Sequence, residues 1–459
     1  MDDIPNLTVL EHSRISPPRD TIGHCSLPLT FFDVTWLLFP PVHHLFFYDF
    51  PHPKSHFIET VVPNLKHSLS ITLQHCFPFV SNLIVFPTVT RKPKIRHVEG
   101  DSVAVTFAES TLDFNDLTGN HPRKCEDFYL LVPALGSAVK ESDYVTLPLF
   151  SVQVTYFLNS GFSIGLTNHH SLGDASTRFC FLKAWTLVSE SGGDKSFLTN
   201  GSPPIYDRFI DIPKLNEKLL NQTKLETFYK SPSLVGSSNR VRATFVLTRT
   251  HINQLKKHVL TQLPTLEYVS SFTVTCGYIW SCIAKSLVKM GGKTSEYELE
   301  QFIVSVDCRS RLDPPLPATY FGNCIAPCIV TINNVVLSGE SGFVIATKLI
   351  GEGISKMVNN KEGILKDAER WYDGFKIPAR KIGVSGTPKL NFYDMDFGWG
   401  KPIKYEAVSF YYMIMETFYI SGSKESAAQD LEIGVCFSSL QMEAFANIFN
   451  HGLKSAIYQ

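Results

Sequence analysis

The sequence predicts a mixed α/β protein with more than one core, and three observations carry that reading. At 459 residues the chain is long enough for two or three domains. Segments that alternate with a period of two, and segments with apolar residues at helical spacing, occur in both halves without a regular strand–helix–strand alternation. Between the halves, from about Ser189 to Arg240, runs a turn-rich tract containing Ser191-Gly192-Gly193-Asp194 and Asn200-Gly201-Ser202-Pro203-Pro204. So long a structureless stretch is uncommon inside one compact domain, and it reads as a crossover between two.

Composition narrows the function classes. Hydrophobic residues at 44% and charged residues at 19% describe a globular chain, not a disordered one. A formal net charge of -1 gives no global pull toward nucleic acid or anionic membranes, and neither is expected as a partner. No apolar run is long enough to span a bilayer; the richest, Trp36 to Phe50, is broken by Pro40, Pro41, His43 and His44. The opening Met1-Asp2-Asp3-Ile4-Pro5 is acidic and does not read as a signal peptide. Ten cysteines without any Cys-x-x-Cys pair read as free thiols in a reducing compartment, so the expected location is the cytosol.

The elements follow in order. Residues 27 to 50 are aromatic and apolar, punctuated by Asp33, Trp36, Pro40 and Pro41. Phe57, Val61, Leu65, Leu69 and Leu73 recur at i+4 and predict an amphipathic helix that Pro63 either kinks or starts. Leu83 to Phe86 reads as a short strand and Val103 to Phe107 as another. Leu149 to Leu158 and Phe162 to Thr167, joined by Asn159-Ser160-Gly161, give the best hairpin signal. The hairpin ends at Asn168-His169-His170-Ser171-Leu172-Gly173-Asp174, and a helix with Phe181, Ala184, Trp185 and Val188 on one face follows.

After the crossover, Arg242 to Val246 reads as a strand and Ile252, Leu255 and Val259 mark a helix. A longer helix follows Ser270-Ser271, in the register of Phe272, Cys276, Ile279, Ile283 and Leu287. Phe302 to Val306 alternates and runs into Asp307-Cys308-Arg309. Phe343, Ala346, Ile350, Ile354 and Met357 predict a further helix. Strand-like Val408 to Ile420, strand Glu432 to Phe437 and a helix with Met442, Phe445 and Phe449 close the chain. There is no Gly-rich phosphate fingerprint and no internal repeat.

Chemistry concentrates where the hairpin meets the helix. A histidine near its ordinary pKa is a natural general base for a hydroxyl, given one ring nitrogen facing substrate and the other fixed by a hydrogen bond. Asp174 follows His170 at i+4, which places both on one side of a tight turn. The bland alternative is a hydrogen-bonded histidine beside a helix start that Asp174 stabilises. A metal site built on His169, His170 and Asp174 is the competing reading. Adjacent histidines on an extended segment point to opposite faces, however, and no further ligand has suitable spacing, so no metal is expected. No serine lies in a nucleophile-elbow context either.

Three stretches decide between these readings: His170 to Asp174 (HxxxD), Tyr320-Phe321-Gly322-Asn323-Cys324 (YFGNC) and Asp396-Phe397-Gly398-Trp399-Gly400 (DFGWG). In this order and at these separations they resemble the plant BAHD acyl-CoA-dependent acyltransferases, in the branch that malonylates anthocyanin and flavonoid glucosides. The likeness extends to Leu29-Thr30-Phe31-Phe32-Asp33, Glu99-Gly100-Asp101-Ser102 and Asp307-Cys308-Arg309, and so covers the whole chain.

The resemblance implies two similar chloramphenicol-acetyltransferase-like domains joined by a long crossover, with the active-site channel between them. The corresponding spans are 1–190 (with HxxxD), 191–240 (crossover) and 241–459 (with YFGNC and DFGWG). It implies that His170 takes the proton from a sugar hydroxyl, which attacks the thioester of malonyl-CoA directly in a ternary complex. Malonyl-CoA is then a co-substrate and no cofactor is bound. Asp174 is expected to pair with Arg309 and orient the turn, and Asp396 to support the architecture. Ser385 is the candidate oxyanion donor. Lys256, Lys257, Ser270 and Ser271 are candidates for CoA phosphate, against the reading of solvated lysines. Phe31, Asp33 and Trp36 are candidates for the acceptor side, against that of core aromatics. Arg178, two turns beyond His170, is the candidate for the malonyl carboxylate through a two-pronged contact, against an ordinary i,i+4 pair with Asp174. Val408 to Met415 is bulkier than in malonyl-preferring relatives, which leaves a hydroxycinnamoyl donor as the alternative; a non-catalytic binder is another. A monomer is expected.

Overall fold

The computed structural model describes residues 6–86, 91–194, 203–210, 212–222, 239–291, 298–408, 411–412, 415–425 and 429–457. Half of the crossover (195–202, 211 and 223–238), and Ser409, Phe410, Met413 and Ile414 of the bulky stretch, lie outside the described residues.

The best hairpin in the sequence is the centre of the first sheet. Phe150–Phe157 and Gly161–Asn168 pair antiparallel from Phe157↔Gly161 to Phe150↔Asn168, and both strands are buried throughout. The sheet runs Leu7–Ile15, Val103–Ser110, Phe150–Phe157, Gly161–Asn168, Val42–Asp49, Lys404–Ala407. Its last strand comes from far down the chain. The sequence reading missed Val42–Asp49, because a strand covered on both faces shows an apolar run instead of alternation.

A second sheet runs Ile325–Asn333, Leu299–Asp307, Arg380–Ser385, Met415–Gly422, Leu431–Ser438, Arg240–Leu247, Arg123–Lys124, with Tyr411–Tyr412 paired to Met415–Gly422. Each large sheet thus ends in a strand lent by the opposite half of the chain. A third, small sheet carries Cys25–Pro28, Lys94–His97, Asn82–Val85, Val145–Pro148 and Val139–Lys140.

The seam between the loaned strands is ionic and buried. Glu406 accepts from Arg123 at 2.9 Å and lies 3.2 Å from Arg242, with all three side chains shielded from water. Burial raises the Glu406 pKa, but the two guanidiniums outweigh it and hold the carboxyl below its ordinary value.

The predicted helices form with longer bounds: Ala175–Glu190, Arg249–Gln262, Ser271–Lys289, Gly342–Val358 and Ser439–Ile457. The helix predicted over Phe57 to Leu73 splits. A π turn at Phe57–Val61 precedes the regular helix Val62–His75, with Pro63 in the first turn, where a missing N–H costs nothing. Pro213–Gln222 is an unforeseen helix inside the crossover. Trp185 and Trp280 are the largest fully buried side chains, and the apolar core is continuous across both halves. No described helix is long and apolar enough to cross a membrane.

Candidate active site

The strand Gly161–Asn168 ends in the single turn His170–Leu172, after which Asp174 starts the helix Ala175–Glu190. The two adjacent histidines diverge. His169 is buried; its Nδ1 accepts the Ser171 N–H at 3.2 Å, and its other nitrogen bonds the Leu37 carbonyl. Burial pushes its pKa down to about 4. Both ring nitrogens are spent on backbone, so His169 holds the turn.

His170 is half-buried and stacks on Trp36, ring centroids 3.8 Å apart and planes within 10°, with Phe39 edge-on at 6.0 Å. Its Nδ1 is buried. Desolvation, followed by the positive charge of Arg178, pushes its pKa down to about 3. A neutral imidazole with one open nitrogen can accept a proton from a hydroxyl.

Asp174 takes four donors: Arg309 through two nitrogens at 2.8 and 3.1 Å, the Thr177 N–H at 3.1 Å and the Cys324 N–H at 3.0 Å. Burial raises its pKa, but the Arg309 guanidinium and these hydrogen bonds outweigh burial and hold the carboxyl below its ordinary value. Arg309 also donates to the Tyr320 and Gly322 carbonyls. Asn323 completes the clasp. Its side-chain amide donates to the His170 carbonyl and to Asp33 Oδ1, both at 3.0 Å. The YFGNC stretch therefore fastens the histidine turn from behind, a role that its sequence did not disclose.

Asp33 departs from the acceptor-side expectation. Its buried carboxylate is filled by the Thr30 N–H and hydroxyl and by the Asn323 backbone and side chain. It faces the protein, not an acceptor. Phe31 is likewise core, stacked on Phe32 at 4.2 Å and packed near Trp371. Of that trio only Trp36 lies against His170.

The profile of the transferase family matches residues 6–451. Over their full lengths, the chain is 75% identical to a malonyl-coenzyme A:anthocyanin 3-O-glucoside-6''-O-malonyltransferase of Dahlia pinnata. The chain belongs to the BAHD transferase family. A Nicotiana tabacum phenolic glucoside malonyltransferase is 40% identical over 97% of this chain and 99% of its own. An Arabidopsis thaliana coumaroyl-CoA:anthocyanidin 3-O-glucoside-6''-O-coumaroyltransferase is 36% identical, with 97% of each chain covered. The crystal structure of vinorine synthase superposes with a TM-score of 0.68 at 18% identity, covering 95% of this chain and 96% of that one. TRI101 of F. sporotrichioides, complexed with coenzyme A, gives 0.62 at 13% identity over 92% and 97%. The fold is accordingly the two-domain chloramphenicol-acetyltransferase-like type.

In this BAHD chain the Asp174 carboxylate is held by Arg309. Arg178 donates to the Gly173 carbonyl at 3.0 Å, and its charge acts on His170, His44 and Tyr405. Among the described residues His44 bonds Tyr405 through Nδ1 at 2.8 Å, and its buried Nε2 has no protein partner. Sequence reasoning missed this histidine, and only its place in a mixed apolar run marked it.

The DFGWG turn is held from within. Asp396 accepts the N–H groups of Gly398 and Gly400 at 2.8 and 3.0 Å, and both glycines have positive φ, +103° and +94°. Phe397 packs edge-on against Trp185 at 4.9 Å and Tyr48 at 6.0 Å. Ser385 is exposed at the end of Arg380–Ser385 and donates to the Phe418 carbonyl at 3.4 Å. Ser270 caps the helix Ser271–Lys289 through the Thr273 N–H at 3.0 Å. On the neighbouring helix Lys256 lies 5.9 Å from the Tyr268 ring centroid and Lys257 is exposed.

Proposed function

We propose that this chain transfers the malonyl group of malonyl-CoA to a sugar hydroxyl of an anthocyanin, flavonoid or related phenolic glucoside. The full-length likeness to the Dahlia enzyme carries this reading, on a chain whose HxxxD turn is complete. The reaction class is acyl transfer to a group other than an amino acid, with an acyl-CoA as co-substrate.

In the proposed mechanism, Nε2 of His170 accepts the proton of the sugar hydroxyl as its oxygen attacks the thioester carbonyl. The tetrahedral oxyanion collapses and expels the CoA thiolate, with no acyl-enzyme. Trp36 fixes the ring plane, while Asp174, Arg309 and Asn323 fix the backbone beneath it. The reading takes the chain as a monomer. The ten cysteines carry no disulfide, in keeping with the cytosol. We assign 1–190 and 241–459 to the two acyltransferase domains and 191–240 to the crossover; each domain builds most of one large sheet.

The donor's distal carboxylate leaves water inside the protein and needs a cation of matching geometry. Arg178 lies near the base, with the His44–Tyr405 pair beside it. A carboxylate held there also offsets the Arg178 charge, which depresses His170 second to burial. Arg178→Leu is expected to raise KM for malonyl-CoA at least about tenfold, a loss of roughly 1.4 kcal/mol, while acetyl-CoA and coumaroyl-CoA turnover stays level or improves. Equal losses with all three donors would remove the carboxylate role and favour the aromatic-donor reading. Loss of thioester release with every donor, with binding retained, would favour a non-catalytic binder.

A further inference from the structure

Two thiols that acyl transfer does not use meet at the seam between the halves. The helix Cys125–Tyr129 follows directly on Arg123–Lys124, the short strand that pairs with Arg240–Leu247. On the other side of Arg240–Leu247, the strand Leu431–Ser438 sets Cys436 opposite Arg242. The two registers bring the sulfurs of Cys125 and Cys436 to 3.1 Å across 311 positions of sequence. That is about 1 Å longer than a disulfide bond of ~2.05 Å.

The two sulfurs are chemically unequal. Arg240 Nε donates to the Cys436 sulfur at 3.4 Å, and a second Arg240 N–H bonds the Cys436 carbonyl. The S–H of Cys125 and this guanidinium hold the Cys436 thiol below its ordinary pKa against burial, while that of Cys125 is pushed up. Both cysteines are buried, yet Arg240 above Cys436 is half-exposed. The sulfur therefore lies one side chain beneath solvent. A thiolate poised beside a second thiol is the arrangement that reacts with small oxidants.

We infer that Cys125 and Cys436 form a peroxide-reactive dithiol, with Cys436 attacking and Cys125 resolving, that closes into a disulfide between the two halves. The oxidant is a hydroperoxide. The Cys436 thiolate attacks one peroxide oxygen, the O–O bond breaks, and hydroxide leaves and takes a proton from solvent. Cys436 is then a sulfenic acid. The Cys125 sulfur attacks the sulfenic sulfur, the S–O bond breaks, and the hydroxyl departs as water with the Cys125 proton. Two electrons have passed from the thiol pair to the peroxide, and a thiol reductant reverses the step. The bond adds a covalent fastener beside the ion pairs of Glu406.

The test treats the reduced full-length protein with excess hydrogen peroxide, alkylates the remaining thiols and maps a non-reducing digest by mass spectrometry. The expected product joins the Cys125 and Cys436 peptides with loss of two hydrogens, reverts with dithiothreitol, and raises Tm by about 4 °C. In Cys125→Ser the cross-link disappears and dimedone labels Cys436; in Cys436→Ser neither product forms. The inference is overturned if both thiols in the unmutated protein stay fully alkylatable while exposed Cys180 is oxidised. It is equally overturned if dimedone never labels Cys436 in Cys125→Ser.

Discussion

Two turns in this molecule are each pinned by one aspartate, and they are built in opposite ways. Asp174 is buried and takes its donors from three separate stretches: Thr177 on its own helix, Arg309 and Cys324. Asp396 is half-exposed and binds the N–H groups of Gly398 and Gly400, two and four residues on. The first turn owes its shape to distant parts of the chain. The second carries its shape in its own five residues and presents Phe397 as a plug against Trp185 and Tyr48. A short motif can therefore mark either a junction of the whole fold or a self-contained fitting, and only the partners of its aspartate tell which.

The largest effect is expected at the group that the first turn exists to hold. His170→Ala should lower kcat by about 10²–10⁴-fold or more, with CoA-ester binding and Tm nearly unchanged. His169→Asn should lower Tm first and the rate only as far as the turn loosens. Equal rate losses at both positions, with equal Tm, would erase the distinction between base and brace.

Next comes the fastening itself. The Asp174–Arg309 pair is buried and doubly hydrogen-bonded, and removing one partner strands the other charge. Asp174→Ala should cost about 3–5 kcal/mol in urea unfolding. Asp174→Asn, which keeps the acceptor oxygen for Thr177 but loses the charge, should cost less and lose rate in proportion to stability. Unchanged unfolding together with a lost base function would put Asp174 in contact with the reacting atoms.

Much of this was legible beforehand, for physical reasons. The Phe150–Phe157 and Gly161–Asn168 hairpin was readable because a tight turn and its flanking strands are local, and the long helices because a one-sided apolar face repeats. The place of His170 was readable because a strand end and a helix start meet there. Asp33 was misread: a carboxylate among aromatics resembles a binding group until its four donors appear, two of them about 290 residues away on Asn323. The loaned strands Lys404–Ala407 and Arg123–Lys124 were invisible because their pairing is wholly long-range and neither is longer than four residues. His44 was hidden by the same run of apolar residues that hid its strand.

A smaller, pH-dependent effect separates the turns again, since two buried histidines, His43 and His169, lie in or beside the first. Burial holds His43 down to about 3 and His169 to about 4. Each ring stays neutral in the folded chain, whereas the unfolded chain protonates it near 6.5. Stability is then complete above about pH 6.5 and falls as pH drops toward 4, by about 2 kcal/mol per ring at pH 5. Urea titrations at pH 7.5, 6 and 5 measure this, and His169→Asn should flatten the slope. A stability independent of pH across that range would mean that the rings are protonated in place.

The smallest effect is expected at Asp396, and it tests the other half of the comparison. Its Oδ1 accepts two backbone N–H groups in a half-exposed turn, where water can replace a lost acceptor. Asp396→Asn keeps an oxygen for both donors and should change Tm by no more than a degree or so, about 0.5 kcal/mol. Asp396→Ala removes both bonds and should cost about 1–2 kcal/mol. Gly398→Ala should cost about as much by a different route. A Cβ there has ordinary room, its nearest neighbour being the Glu190 Cα at 3.6 Å, but φ of +103° strains any side chain. In all three variants kcat should remain within a few-fold, because Phe397 keeps its seat while the turn only frays. If Asp396→Asn instead lost activity as deeply as His170→Ala at unchanged Tm, the carboxylate itself would be acting on substrate, and the two turns would be partners in the chemistry.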